Sequence, residues 1–272
     1  LDVRVWNPDA GTKVVLPTQY ILPPGPREGV VVNVAEMRLY YYPPTEKGET
    51  PRVETYPISI GRVAWKTPLG ETSITTKLTD PAWYPPDSII QEHAERGDPL
   101  PPVVPPGPDN PLGEYAMLLD IPGYLIHGTN RPDGIGMRVT HGCIRMLPED
   151  IERLFPRLPV GTKVRLINEP VKYGWSQAGI LHVQAYPSTD VAAGTPLSRV
   201  IDEVSQIIAD HNYPLDYSHL PRIIQAPGGI PQPLTLVEVA VEPEEPEVVE
   251  SLYDRIEAHP TLLSQLRLEE AA

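Results

Sequence analysis

Proline governs what this chain can fold into. There are 36 prolines in 272 residues, and with 20 glycines they bring the composition close to that of a low-complexity polypeptide. The prolines are clustered, however, and clean apolar runs lie between the clusters. Proline fixes φ and lacks a backbone donor, so regular structure is confined largely to those intervals. The pattern reads as a β-rich domain with long ordered loops rather than as disorder. Hydrophobic residues make up 40% of the chain, enough for a packed core over part of its length.

Two short apolar runs near the start flank Asn7-Pro8-Asp9-Ala10-Gly11, which is turn chemistry. Pro23-Pro24-Gly25-Pro26 then forms a stiff linker and marks a domain boundary. Beyond it, Val30-Val31-Val32-Asn33-Val34 and Met37-Arg38-Leu39-Tyr40-Tyr41-Tyr42 predict a β-hairpin. Further strands are expected at 53–60, 71–78, 115–121, 124–127, 139–146 and 161–167, with a short helix over 148–158. Residues 81–113 hold ten prolines and few aliphatics; a connection that long is usually a lid or a binding loop. Trp83, at its start, is a candidate for substrate contact or for anchoring the loop by burial. These elements define a domain over 27–170. After it, a strand at 180–186 and apolar residues at helical spacing over 197–209 suggest a small β/α subdomain over 175–236. Residues 237–272 form an acidic tail, with helix expected around 248–256.

The net charge is −14, a surface that a phosphate backbone would repel, so nucleic acid is not an expected partner. Ten carboxylates and two arginines give the tail −8 of that total, and its default reading is solvated charge. No stretch approaches the roughly 20 apolar residues that a membrane span needs. A single cysteine, Cys143, excludes an internal disulfide and a Cys-rich metal site. The ordinary role of a lone cysteine is that of a small buried apolar residue.

Its neighbours argue otherwise. His127 closes an apolar strand, and a Gly-rich loop leads back to Thr140-His141-Gly142-Cys143-Ile144-Arg145. A thiol needs its proton withdrawn before it attacks. Neighbouring strands about 4.8 Å apart would bring an imidazole within reach of it. On an extended strand His141 would share a face with Cys143. Gly142 permits an open backbone whose N–H, with that of Cys143, could meet an oxyanion. Arg145 suits a substrate carboxylate or a structural ion pair. Three readings compete: a buried cysteine with two core histidines; a zinc site from His127, His141 and Cys143 with Asp133 as base; and a thiol–imidazole nucleophile. The spacing favours the third.

His127-Gly128-Thr129-Asn130, Gly134-Ile135-Gly136 and Thr140-His141-Gly142-Cys143-Ile144-Arg145 together resemble the signature of the L,D-transpeptidase catalytic domain of the YkuD type. Similarity extends through Arg27-Glu28-Gly29-Val30-Val31-Val32-Asn33, the run from Ala35 to Pro43, and Val104-Pro105-Pro106-Gly107-Pro108-Asp109-Asn110-Pro111. These resemble periplasmic enzymes of Gram-negative bacteria that attach an outer-membrane lipoprotein to peptidoglycan. The resemblance implies a mainly β, sandwich-like catalytic domain with one or two short helices. It implies Cys143 as nucleophile on the diaminopimelate carbonyl of a tetrapeptide stem, with release of D-alanine. The acyl group would pass to a lipoprotein lysine, a second diaminopimelate or a D-amino acid. His127 would be the base and the Gly128 carbonyl its orienter. His141, Gly142, Arg145, Thr140, Tyr124, Asn130 and Trp83 would bind substrate. Thr140 stands where the family shows serine. No metal or organic cofactor is implied. Hydrolysis of the same linkage, as a carboxypeptidase or amidase, is the alternative activity. Residues 1–22 resemble the end of a LysM repeat, which motivates a further alternative, a non-catalytic wall-binding protein. It also suggests a chain trimmed from a longer one.

Overall fold

The computed structural model describes residues 9–11, 13, 18–188, 197–209 and 215–234. Most of the LysM-like segment and the expected tail helix lie outside the described residues. The elements run β1 (Gly29–Asn33), β2 (Arg38–Tyr42), β3 (Glu54–Gly61), β4 (Gly70–Thr79), α1 (Asp87–Glu95), β5 (Tyr115–Leu119), β6 (Leu125–His127), β7 (Arg138–Thr140), β8 (Ile144–Met146), α2 (Pro148–Leu154), β9 (Lys163–Ile167), β10 (Val171–Trp175), β11 (Leu181–Ala185), α3 (Leu197–Ile207), α4 (Leu220–Gln225) and β12 (Gln232–Pro233). The fold is mainly β, as expected.

The principal sheet has the order β2-β1-β9-β4-β5-β6-β8-β3-β7, and β3 also pairs with β2. Eight strands therefore close on themselves as a barrel, and β7 hangs on the end of β3. Closure removes the exposed edges that a proline-interrupted sheet would otherwise present. Inside lie Val30, Val32, Leu39, Ile58, Ile126 and Ile144, with Ile151 and Leu154 of α2 against them. Each such aliphatic contributes roughly 1.5–3 kcal/mol on burial. The opposite faces of β1 and β2 are covered too: Val31, Tyr40 and Tyr42 pack with Leu22, Val53 and Ile167. That double burial explains why these strands read as continuous apolar runs.

Two expected elements differ. The run 139–146 is two strands, because Gly142 stands at φ +108, a conformation that breaks the extended alternation. His141 and Cys143 consequently do not share a strand face. The Pro-rich segment is not all loop. A nine-residue helix, α1, occupies the proline-free interval after Pro86, with Asp87 in its first turn and only Ile89 fully buried. Asn110, wholly buried, ties the rest of that segment together. Its Nδ2 donates to the carbonyls of Pro81, Val104 and Pro105, and its Oδ1 accepts from Leu112 N–H.

The expected β/α appendage is the three-stranded sheet β10-β11-β12 with α3 and α4, around Leu181, Val183, Val200, Val204, Leu220 and Ile223. Its first strand, β10, occupies the interval left between the two expected domains. Lys172 on β10 forms a buried ion pair with Glu36 at 2.7 Å, the side chains 1% and 0% exposed. The same ammonium donates to Tyr40 Oη at 3.0 Å and to the Ile21 carbonyl. Asn33 donates to Glu36 at 2.9 Å and exchanges hydrogen bonds with the backbone of Glu169.

Candidate active site

Pairing registers set the strand that carries His127 beside the one that follows Cys143. β6 runs parallel to β8, with Ile126 beside Ile144 and His127 beside Arg145. Cys143, the residue before β8, therefore lies at the starting end of β6. β8 is antiparallel to β3, so the same end receives Gly61. Thr140 organises the tight turn that follows β7. Its hydroxyl donates to the Cys143 carbonyl at 2.7 Å and accepts from Gly142 N–H at 3.2 Å. A second hydroxyl braces the turn from outside: Thr67 Oγ1 donates to the Gly142 carbonyl at 2.8 Å and accepts from Gly61 N–H at 3.1 Å. Both backbone groups of Gly142 are thus engaged, which removes its N–H from the expected oxyanion pair.

Glycine is required at 142 twice over. Beyond its φ, a Cβ there would stand 2.7 Å from Tyr124 Cε1. Tyr124 is therefore a wall of the turn and packs against the barrel core. Gly61 is the matching close approach, since a Cβ on it would lie 2.9 Å from Gly142 Cα.

The Cys143 thiol is half-buried and donates to the Gly123 carbonyl at 3.6 Å. Burial pushes its pKa up, while the Leu125 N–H and the Arg145 charge pull it down. His127 is 4% exposed, and its Nδ1 lies 2.7 Å from the Gly128 carbonyl. A carbonyl only accepts, so Nδ1 carries the proton and Nε2 keeps a lone pair when the ring is neutral. Burial lowers this imidazole to about 4, reinforced by Arg145 and opposed by the carbonyls of Gly128 and Leu112. Near neutral pH the pair is a protonated thiol and a neutral, oriented imidazole. Arg145 is itself largely buried; its Nε has no partner among the described residues.

His141 belongs to a different cluster. Its Nε2 lies 2.8 Å from Glu92 Oε2 and 2.5 Å from Arg62 Nη2, and those two groups form an ion pair. Trp65 meets the ring edge-on at 5.3 Å. Hydrogen bonds from Arg62 and His141 hold the Glu92 carboxyl down to about 2. Burial, the largest influence on His141, lowers its proton affinity. Because Glu92 sits on α1, its contact with His141 fastens the Pro-rich segment to the turn that carries Cys143. His127 and His141 thus face different partners. Among the described residues no group of three or more His, Cys, Asp or Glu could hold a metal ion.

Of the remaining candidates, Asn130 and Gly128 line a cavity of about 700 Å³ with Asp80, Glu114, Glu149 and Glu152. The backbone of Trp83 is bridged to that of Val104 within the Pro-rich segment. Sequence reasoning missed Thr67, Gly61, Arg62 and Glu92. None stands near Cys143 in the chain, and nothing local distinguishes them.

A barrel that carries a braced thiol turn on one strand and a buried imidazole on the strand paired with it defines the class of fold and site, and comparison with known proteins narrows it. The family model for the L,D-transpeptidase catalytic domain (YkuD) matches residues 27–166, just over half of the chain, and the chain belongs to this family. It is similar to "Probable L,D-transpeptidase ErfK/SrfK" of Escherichia coli K12, 48% identical over 170 residues, 62% of this chain and 53% of that protein. "Probable L,D-transpeptidase YcfS" of the same organism is 42% identical over 210 residues, 76% of this chain and 62% of that protein. The chain thus spans between half and two thirds of the length of these curated relatives. A solved L,D-transpeptidase from Mycobacterium smegmatis aligns over 52% of this chain and 58% of its own, with 18% identity and a TM-score of 0.39. No described helix is long and apolar enough to cross a membrane.

Proposed function

We propose that the protein is an L,D-transpeptidase acting on peptidoglycan tetrapeptide stems in the periplasm, with Cys143 as nucleophile and His127 as base. The observation that carries this reading is the buried, neutral imidazole of His127, its Nδ1 clamped by Gly128 and its strand in register with the one that follows the thiol. His127 Nε2 takes the thiol proton as Sγ attacks the diaminopimelate carbonyl. The Cys143 N–H faces the developing oxyanion. Collapse breaks the C–N bond, and the imidazolium returns its proton to the departing D-alanine amine. An incoming amine then attacks the thioester, gives a proton to His127, and the C–S bond breaks to regenerate the thiol. General-base assistance of this kind is worth roughly 10²–10⁴ in rate.

The acceptor in this scheme is a lysine of an outer-membrane lipoprotein, a second diaminopimelate or a D-amino acid. No metal or cofactor takes part. The test uses Cys143→Ala with tetrapeptide muropeptides and intact-protein mass spectrometry. Wild type should show a thioester and release D-alanine, and the variant neither. Undiminished release from the variant would refute the reading. Adding candidate amines separates transfer from hydrolysis: a product that stays the free acid whatever amine is supplied would assign the carboxypeptidase activity.

A further inference from the structure

Beside the thiol turn lies a second cavity, of about 270 Å³, whose lining includes three cationic residues, Arg62, Lys66 and Arg138, and the apolar Val34, Ile60 and Leu69. It lies at the same end of the barrel as Cys143. Asn33 pairs with Ile167, Gly70 with Leu166 and Gly61 with Thr140. The last residues of β1, β3 and β9 and the first of β4 therefore meet where β8 begins. Gly61 and Thr67, which also line the cavity, brace Gly142 through close approach and through the hydroxyl–carbonyl bond. One wall of the cavity is therefore the support of the thiol turn itself.

The charge here runs against that of the molecule, which is −14 overall. Glu92 pairs with one end of the Arg62 guanidinium, but Arg62 Nε is buried and has no partner among the described residues. No salt bridge within the described residues engages Lys66. Such a concentration of cations beside apolar residues is suited to a carboxylate on a short aliphatic group. The volume lies below the roughly 300–1,000 Å³ of sites that enclose drug-sized ligands. It fits one small residue rather than a peptide.

We propose that Arg62, Lys66 and Arg138 form a carboxylate subsite, which receives the α-carboxylate of a single small amino-acid residue next to the reacting carbonyl. The assignment rests on the L,D-transpeptidase reading. Two sources supply the same chemistry: the terminal residue that leaves the donor stem, or a free amino acid arriving as acceptor.

The binding test needs no turnover. N-acetyl-D-alanine and N-acetyl-D-alaninamide are titrated into the full chain and followed by NMR. The acid should bind about tenfold more tightly than the amide, as one charge-assisted contact implies, and Lys66→Gln should bring the ratio close to one. Two kinetic arms then assign the source. Free-acid and amidated tetrapeptide stems are compared for adduct formation on Cys143, and D-alanine and D-alaninamide for release of the thioester. Acid preference that Lys66→Gln abolishes in the first arm assigns the leaving residue; in the second, the incoming one. Equal binding of acid and amide by wild type overturns the subsite. So does an acid preference that both Lys66→Gln and Arg138→Gln leave unchanged. Absence of any Cys143 adduct with wild type would instead count against the L,D-transpeptidase reading.

Discussion

Replacing His127 by glutamine should change how stability depends on pH, by an amount that follows from the burial of the ring. An unfolded imidazole titrates near 6.5, and in the fold His127 is held at about 4, chiefly by desolvation and then by Arg145. Between those values the unfolded chain binds the proton and the native chain resists it. The stabilisation is therefore fully present above pH 6.5 and is lost as pH falls towards 4. One pH unit corresponds to about 1.4 kcal/mol, so the gap limits the loss to roughly 3 kcal/mol; at about pH 4.5 the two titrations give a loss of roughly 2–3 kcal/mol. Urea unfolding of wild type and His127→Gln at about pH 7.5 and 4.5 isolates this effect, since the other ionisable groups cancel in the difference. Wild type should lose roughly 2–3 kcal/mol more than the variant on acidification. An equal loss in both proteins would mean that the ring titrates as it does in solution, and the argument for a buried, neutral base would fail. The acidic limb of thioester formation should likewise fall near pH 4 rather than near 6.5.

Three further outcomes are expected. Gly142→Ala forces a side chain to φ +108 and into Tyr124; it should cost on the order of 1–3 kcal/mol in urea unfolding and slow alkylation of Cys143 by iodoacetamide. Thr140→Ser keeps the hydroxyl that bonds Gly142 N–H and the Cys143 carbonyl and should leave thioester formation within a fewfold of wild type. Thr140→Val should lose about 1–3 kcal/mol of stability as the buried backbone groups go unpaired. Glu92→Gln weakens the charge linkage from α1 to Arg62 and His141, so amide hydrogen exchange should accelerate in α1 while the barrel strands keep their protection.

Much of the barrel is legible in the sequence because its strands carry local signals. Val30-Val31-Val32 and Leu39-Tyr40-Tyr41-Tyr42 are β-branched or aromatic, and a short turn joins them. The histidine and the thiol stand out for the same reason, through glycines and polar residues packed into a few positions. What stayed hidden depends on approach between distant segments. Thr67 reaches Gly142 across 75 residues, and its own surroundings in the chain resemble any turn. Helix α1 carries little of an apolar stripe, since only Ile89 is fully buried, and its firmest attachment is an ion pair. Strand β10 was obscured by Lys172, which reads as a surface residue until Glu36 is found beneath it. The division of 138–146 into two strands turned on the backbone angle of one glycine, a property that residue identity permits without dictating.

The Lys172–Glu36 pair separates two kinds of boundary. The family model ends at residue 166, yet the ammonium that neutralises Glu36 arrives six positions later. A polypeptide cut where that model stops would keep every residue of the thiol site and strand a carboxylate at the foot of the first hairpin, beside Tyr40. Removing one member of a buried ion pair costs about 3–5 kcal/mol, a large part of the stability of an ordinary domain. The smallest piece of this protein that retains the barrel intact therefore extends at least through β10, and the bounds of the catalytic-domain family model would place its end too early.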